Sequence, residues 1–284
     1  MIDATTYLGL ARRGKNAWWR YLLAWPLAIV MAMLIVPAVL LPLIMTHVIT
    51  AGFVTEMQSP SHPVSFYLGY AALSFGAFLA GFILAIYIMH RKRFADIRGV
   101  WRWRDFLSGA GLWLALLILF GLIDYALRPH GFHLTWRSLT PAVVLVAVAG
   151  LAVQTFTEEF VFRGYLTQSL LLLSQRPLVA ALLSGLAFGA LHIPNGIPQA
   201  VFATVFGSVM SLVAIRTGGL AMSYGFHLVN NLFGSLVVVS MQDVFSGTPA
   251  LITQNTPDLM GWDVITGCVA VSAAAWFLLR QKKV

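Results

Sequence analysis

PAVVLVAVAGLAVQTFTEEFVFRGYLTQSLLL, residues 141–172, is apolar over a length that exceeds what a membrane crossing needs. About twenty predominantly apolar residues suffice to span a bilayer as a helix. Yet Glu158, Glu159 and Arg163 sit near its middle. A charge at that depth costs about 2.5 to 3.5 kcal/mol on insertion scales, so it persists where it is paired or faces a polar cavity. The stretch therefore predicts a membrane helix that carries a polar site.

The same pattern recurs outward in both directions. Apolar runs at 22–46, 65–89, 106–127, 141–172, 178–193, 198–216, 218–240 and 260–279 predict an all-α polytopic membrane protein of about eight transmembrane helices around a polar intramembrane cavity. The whole chain agrees: 284 residues, 59% hydrophobic and 10% charged, where soluble domains are about a quarter charged. The fifth and sixth runs are short and meet at PNGIP, residues 194–198, a Pro/Gly turn. The longest connections, 47–64 and 241–259, contain Pro and polar residues, and no soluble domain fits between the spans. Three regions follow: three N-terminal spans over 1–139, a core over 140–240, and a last loop, span and tail over 241–284. The lone Cys268 excludes an intramolecular disulfide and reads as a small packing residue. No cleavable signal peptide is expected, because the first apolar run is too long for a signal core.

The net charge of +8 is distributed by side. With eight spans, Arg12, Arg13, Lys15, Arg20, Arg91, Lys92, Arg93, Arg98, Arg102, Arg104, Arg176, Arg216, Arg280, Lys282 and Lys283 share one side of the membrane. Only Arg128 and Arg137 lie on the other. The positive-inside rule then puts both termini in the cytoplasm and removes nucleic acid as the reason for the charge, and the short loops without a soluble domain suggest a prokaryotic plasma membrane. Segment 90–105, HRKRFADIRGVWRWRD, reads as a cytoplasmic loop on the anionic leaflet with Trp101 and Trp103 at the interface.

The polar residues inside the spans can be taken singly. Glu159 and Arg163 are four apart, so they share a helix face and form an ion pair. Glu158 lies about 100° around the helix and needs another partner, a proton or a task. A desolvated carboxylate is suited to act as general base on water. His192 ends FGALH, residues 188–192, and His227 and Asn231 project together from HLVNN, residues 227–231. One carboxylate, two imidazoles and an amide thus reside on three helices. Two chemistries are open. Glu158 can activate water with His192 assisting, while His227 and Asn231 donate to an oxyanion, a reaction that needs no cofactor. Alternatively Glu158, His192 and His227 bind Zn²⁺ with an open position for water. Asp124 and Arg128 are expected to pair, Asp263 to sit near water at a span entrance, and Gly76, Ala80 and Gly81 to allow close helix packing.

EEFVFR (158–163), FGALH (188–192) and HLVNN (227–231), in this order on late spans, resemble the motifs of the CAAX protease and bacteriocin-processing family, the Abi family. It includes the type II CAAX prenyl endopeptidases. The resemblance covers about 140–240. It implies a conical water-accessible cavity and a peptidase with Glu158 as catalytic carboxylate and His192 as its partner. It further implies His227 and Asn231 as oxyanion donors, with Glu159 and Arg163 supporting. The expected partners are the lipid bilayer and a membrane protein or peptide substrate that enters laterally or from the cytoplasmic side, with CAAX-type C-terminal processing as one form. The competing readings are a non-catalytic membrane scaffold or bacteriocin self-immunity protein, and a proton-coupled transporter.

Overall fold

A computed structural model describes residues 4–136, 139–240, 244–255 and 260–281. Arg137, Lys282 and Lys283, which entered the charge argument, lie outside the described residues. The fold is helical. After a short N-terminal helix α1 (Ala4–Ala11) come α2 (Trp18–Met45), α3 (Pro63–His90), α4 (Trp103–Leu127), α5 (Pro141–Ser174), α6 (Pro177–Ala190), α7 (Ile197–Thr217), α8 (Ala221–Leu232) and α9 (Met260–Gln281).

Six of these, α2, α3, α4, α5, α7 and α9, are long and apolar enough to cross a membrane. The expected fifth and seventh spans are helical but shorter. α6 has 14 residues and so rises only about 21 Å, less than a hydrocarbon core of about 30 Å. α8 has 12 residues and runs into a wide π turn, Phe233–Val237. Residues 238–240, expected at the end of a span, instead form a strand.

Helix ends follow local chemistry. Thr140 caps α5 by accepting from the Val143 amide, with Pro141 at the first helical position where its missing N–H costs nothing. Gly218 ends α7 at φ +75°, a left-handed cap that glycine adopts without strain. α5 itself widens into a π segment over Glu159–Leu166. Such insertions into α-helices recur at functional sites.

Packing relies on close backbone approach. A Cβ on Gly150 of α5 would lie 2.4 Å from the Tyr67 carbonyl oxygen of α3, and one on Gly81 would lie 2.8 Å from the Ala28 carbonyl oxygen of α2. Gly76, expected to act alike, has Val153 at an ordinary 3.5 Å. Large apolar side chains such as Leu22, Met33, Leu122, Leu145, Leu178 and Leu182 are exposed on the outside of the bundle, as a lipid-facing belt requires.

The two ends of the bundle differ. At one, the Lys15 amide donates to the His90 carbonyl, Val100 to Gly218 and Leu220 to Arg98. Segment 90–105 is folded onto this end rather than lying free on the leaflet: Ile97 is fully buried, Lys92 is 2% exposed, and Phe94 stacks on Phe160 of α5. At the other end, β1 (Phe132–Leu134), β2 (Val238–Ser240) and β3 (Ile252–Gln254) form a small sheet in the order β1-β3-β2. β1 pairs antiparallel with β3, Phe132 opposite Gln254, and β2 pairs parallel, Val238 opposite Ile252. Arg128 pairs there with Asp124, as expected, and also with Asp263 at 3.1 Å.

Candidate active site

The π segment of α5 meets α8 across a buried imidazole. His227 Nδ1 lies 2.9 Å from Glu159 Oε1, and Nε2 lies 3.4 Å from Glu158 Oε2. The two carboxylates, about 100° apart around the helix, thus reach the same imidazole. A flat ring inserted between them presents one nitrogen to each. Glu159 and Arg163 are fully buried and pair at 3.3 Å. The Arg163 guanidinium carbon sits 4.0 Å from the Phe188 ring centroid, a cation–π contact that helps to carry a buried charge. With Glu159 held as a carboxylate by Arg163, the proton on His227 belongs on Nδ1, leaving Nε2 toward Glu158.

His192 lies in the turn just after α6, not on its face. Its Nδ1 is 2.8 Å from the Phe188 carbonyl oxygen. The carbonyl can only accept, so Nδ1 carries the proton and Nε2 is the free nitrogen. The His192 and Phe188 rings are 4.5 Å apart, and Phe188 also packs edge-on to His227 at 5.7 Å. One phenyl ring thus spaces both histidines and the arginine.

Asn231 sits one turn beyond His227. Its Nδ2 donates to Gln154 Oε1 at 3.0 Å and to Thr155 Oγ1 at 3.3 Å. Asn230 Nδ2 donates to Asn231 Oδ1 at 3.3 Å, and Trp113 Nε1 of α4 donates to Asn230 Oδ1 at 3.3 Å. An indole N–H can only donate, so it sets the direction of the whole chain: Trp113 to Asn230 to Asn231 to Gln154. The Gln154 carbonyl oxygen, which also accepts from Thr155 at 3.1 Å, is thereby occupied, and its amide donates to the Glu158 carboxylate. Gln154, Thr155, Asn230 and Trp113 were missed in the sequence. Gln154 stands four residues before Glu158 and Asn230 is adjacent to Asn231, so both had a positional signal. Trp113 had none.

Glu158, His192, His227 and Asn231 all line one cavity of about 830 Å³ with Gln154, Asn230 and Trp113. Its remaining walls are largely aromatic and aliphatic. Glu159 and Arg163 are fully buried and do not line it.

The Zn²⁺ alternative needs Glu158, His192 and His227 around one point. Among the described residues no three His, Cys, Asp or Glu side chains are placed to hold one metal ion. Both His227 nitrogens face carboxylates, and His192 Nδ1 is committed to Phe188. This donor set does not fit a zinc sphere, and no step below is routed through a metal.

Residues 138–233 match the family described as type II CAAX prenyl endopeptidase Rce1-like. The chain is also 27% identical over 289 residues to the uncharacterized protein YyaK of Bacillus subtilis (strain 168), covering 95% of each chain. No solved structure matches it. The family segment contains all four cavity-lining motif residues, and the apolar helical bundle around them gives an integral membrane protein. By that match residues 138–233 of this integral membrane protein are similar to the type II CAAX prenyl endopeptidase Rce1-like family.

Proposed function

We propose that the chain is an intramembrane endopeptidase that hydrolyses peptide bonds of membrane-associated proteins or peptides with water activated by Glu158. The observation that carries this reading is His227 held between Glu159 and Glu158 in the wall of a cavity that Glu158, His192 and Asn231 also line.

Glu158 takes a proton from water as the water oxygen adds to the scissile carbonyl carbon. His192, with Nδ1 fixed on Phe188, uses Nε2 to orient that water. Charge develops on the carbonyl oxygen, where preorganised donors lower the barrier most. His227, braced by Glu159, supplies one donor from Nε2 in its protonated form. Asn231 supplies the other by exchanging its longer bond, to Thr155, for the substrate oxygen. The tetrahedral intermediate collapses with cleavage of the C–N bond, and Glu158 returns its proton to the leaving amine.

The test compares new peptide termini in membranes and medium from cells making wild type or Glu158→Gln at equal level. Termini that require Glu158 support the peptidase and name its substrates, including any cut three residues from a C-terminal end. Identical termini with a folded, inserted variant would return the chain to the scaffold or immunity reading. Cleavage by purified protein should be unchanged by EDTA or phenanthroline; loss that Zn²⁺ restores would refute the metal-free mechanism.

A further inference from the structure

Hydroxyls from three other helices converge on the π segment of α5. The Thr167 amide donates to the carbonyls of Phe162 and Gly164, five and three residues back. It passes over Arg163, four back, whose carbonyl an α-helix would use. The Tyr7 hydroxyl of α1 donates to that carbonyl across a separation of 156 residues. The Phe162 carbonyl takes two further donors, Thr167 Oγ1 at 2.8 Å and Ser184 Oγ of α6 at 3.0 Å. Thr167 Oγ1 in turn lies 3.1 Å from Ser211 Oγ of α7. Tyr7, Thr167, Ser184 and Ser211 are all buried.

These bonds fit only the wide turn. Ser169 bonds the Tyr165 carbonyl and Thr204 the Ala200 carbonyl, each four residues back, as helical Ser and Thr ordinarily do. Thr167 reaches back five. A return to α geometry would bring the Thr167 amide onto the Arg163 carbonyl, in competition with the Tyr7 hydroxyl, and would take Thr167 Oγ1 off Phe162. Buried polar groups are costly to leave unpaired, so the hydroxyls favour the π register. The register matters because a shift of one residue turns a helix by about 100°, the angle between Glu158 and Glu159. Glu158 lines the cavity, whereas Glu159 is fully buried.

We propose that Tyr7, Thr167 and Ser184 are positioning residues for the reaction: together they hold α5 in its π register and so present Glu158, rather than Glu159, to the cavity. The part that concerns the reaction rests on the peptidase reading above; the register does not. Ser184 has a second effect. It stands on the helix that ends just before His192, so its bond to Phe162 ties that helix to the segment that carries Glu158. Tyr7 gives the N-terminal helix a part in the site, although it lies outside the segment that matches the family.

The test removes single hydroxyls. Thr167→Val keeps the shape and loses the donor, and Thr167→Ser keeps the donor. Tyr7→Phe removes one oxygen from α1 and answers the same question if Thr167→Val does not fold. In detergent, amide hydrogen exchange over residues 159–168 should quicken about fivefold in Thr167→Val and in Tyr7→Phe, the worth of one net hydrogen bond, with α2 and α9 unchanged. On a substrate found through Glu158-dependent termini, kcat should fall by a similar factor at constant KM. Thr167→Ser should restore both readouts. Exchange that stays at the wild-type rate, or that quickens alike in every helix as a merely structural role requires, would overturn the proposal. Local quickening with kcat intact would overturn the link to Glu158. If no Glu158-dependent termini appear, the peptidase reading fails by itself, and exchange still decides whether the hydroxyls hold the register.

Discussion

Glu158 and Glu159 are neighbours with opposite structural weight. Glu159 is the only carboxylate paired with a fully buried guanidinium among the described residues, and removing one partner of a buried pair costs about 3–5 kcal/mol. Glu159→Gln should therefore lower the thermal unfolding midpoint in detergent strongly. Glu158 is partly exposed to the cavity, and Glu158→Gln should cost no more than about one hydrogen bond, ~1 kcal/mol, while abolishing cleavage. Equal melting losses in both variants would refute this division. The i,i+4 spacing made the Glu159–Arg163 pair readable in the sequence. The shared contact with His227 was not, since it depends on how α8 packs against α5. The same limit hid Trp113, whose indole orients three amides from another helix. Trp113→Phe removes the indole donor at the head of the chain and should reduce kcat about fivefold, the worth of one net hydrogen bond, with KM and melting little changed. A purely packing role for Trp113 would instead lower stability and leave kcat intact.

Hydropathy made the long helices legible as elements because length and apolarity suffice to locate them. It overran where an apolar sequence changes structure: Val238 and Val239 continue the greasy run of α8 yet form β2. Three-residue strands leave no periodicity, and their partner β3 is supplied by a later loop. The α6–α7 hairpin shows a different economy. A Cβ on Gly189 would meet Thr204 Oγ1 at 1.8 Å and the Ala200 carbonyl oxygen at 2.8 Å. Gly189→Ala must push α6 away from α7, at a cost of about 1–3 kcal/mol for overpacking. His192 follows three residues later, so its imidazole moves with the helix end. Both the melting midpoint and kcat/KM should fall, and adding Thr204→Ala, which deletes the nearest clashing atom, should restore part of each. A Gly189→Ala protein with unchanged activity would show that His192 does not depend on this packing.

Across the whole molecule, segments distant in sequence are tied together at the basic end of the bundle, and Lys92 is a buried, titratable part of that end. Its Nζ donates to the Ala11 carbonyl at 2.7 Å and lies 5.7 Å from the Tyr21 ring centroid. Burial pushes its pKa down from 10.5 to about 8, against the opposing pull of Asp96. Between those two values the unfolded chain binds more protons than the folded one, so stability rises with pH across that window. Below about pH 8 the cost of burying the ammonium is present in full; above 10.5 it is gone. The sign is opposite to that of an ordinary lysine salt bridge, which loses stability as pH rises. Lys92→Met keeps the stem volume and removes the proton. The variant's melting midpoint relative to wild type should thus be highest near pH 7 and should decline toward pH 10, with a difference of at most about 3 kcal/mol between the two ends. A wild type that melts lower as pH climbs from 8 to 10, with Lys92→Met flat, would mean that the ammonium stabilises this end of the fold through Ala11 and Asp96 and that its burial carries no net cost.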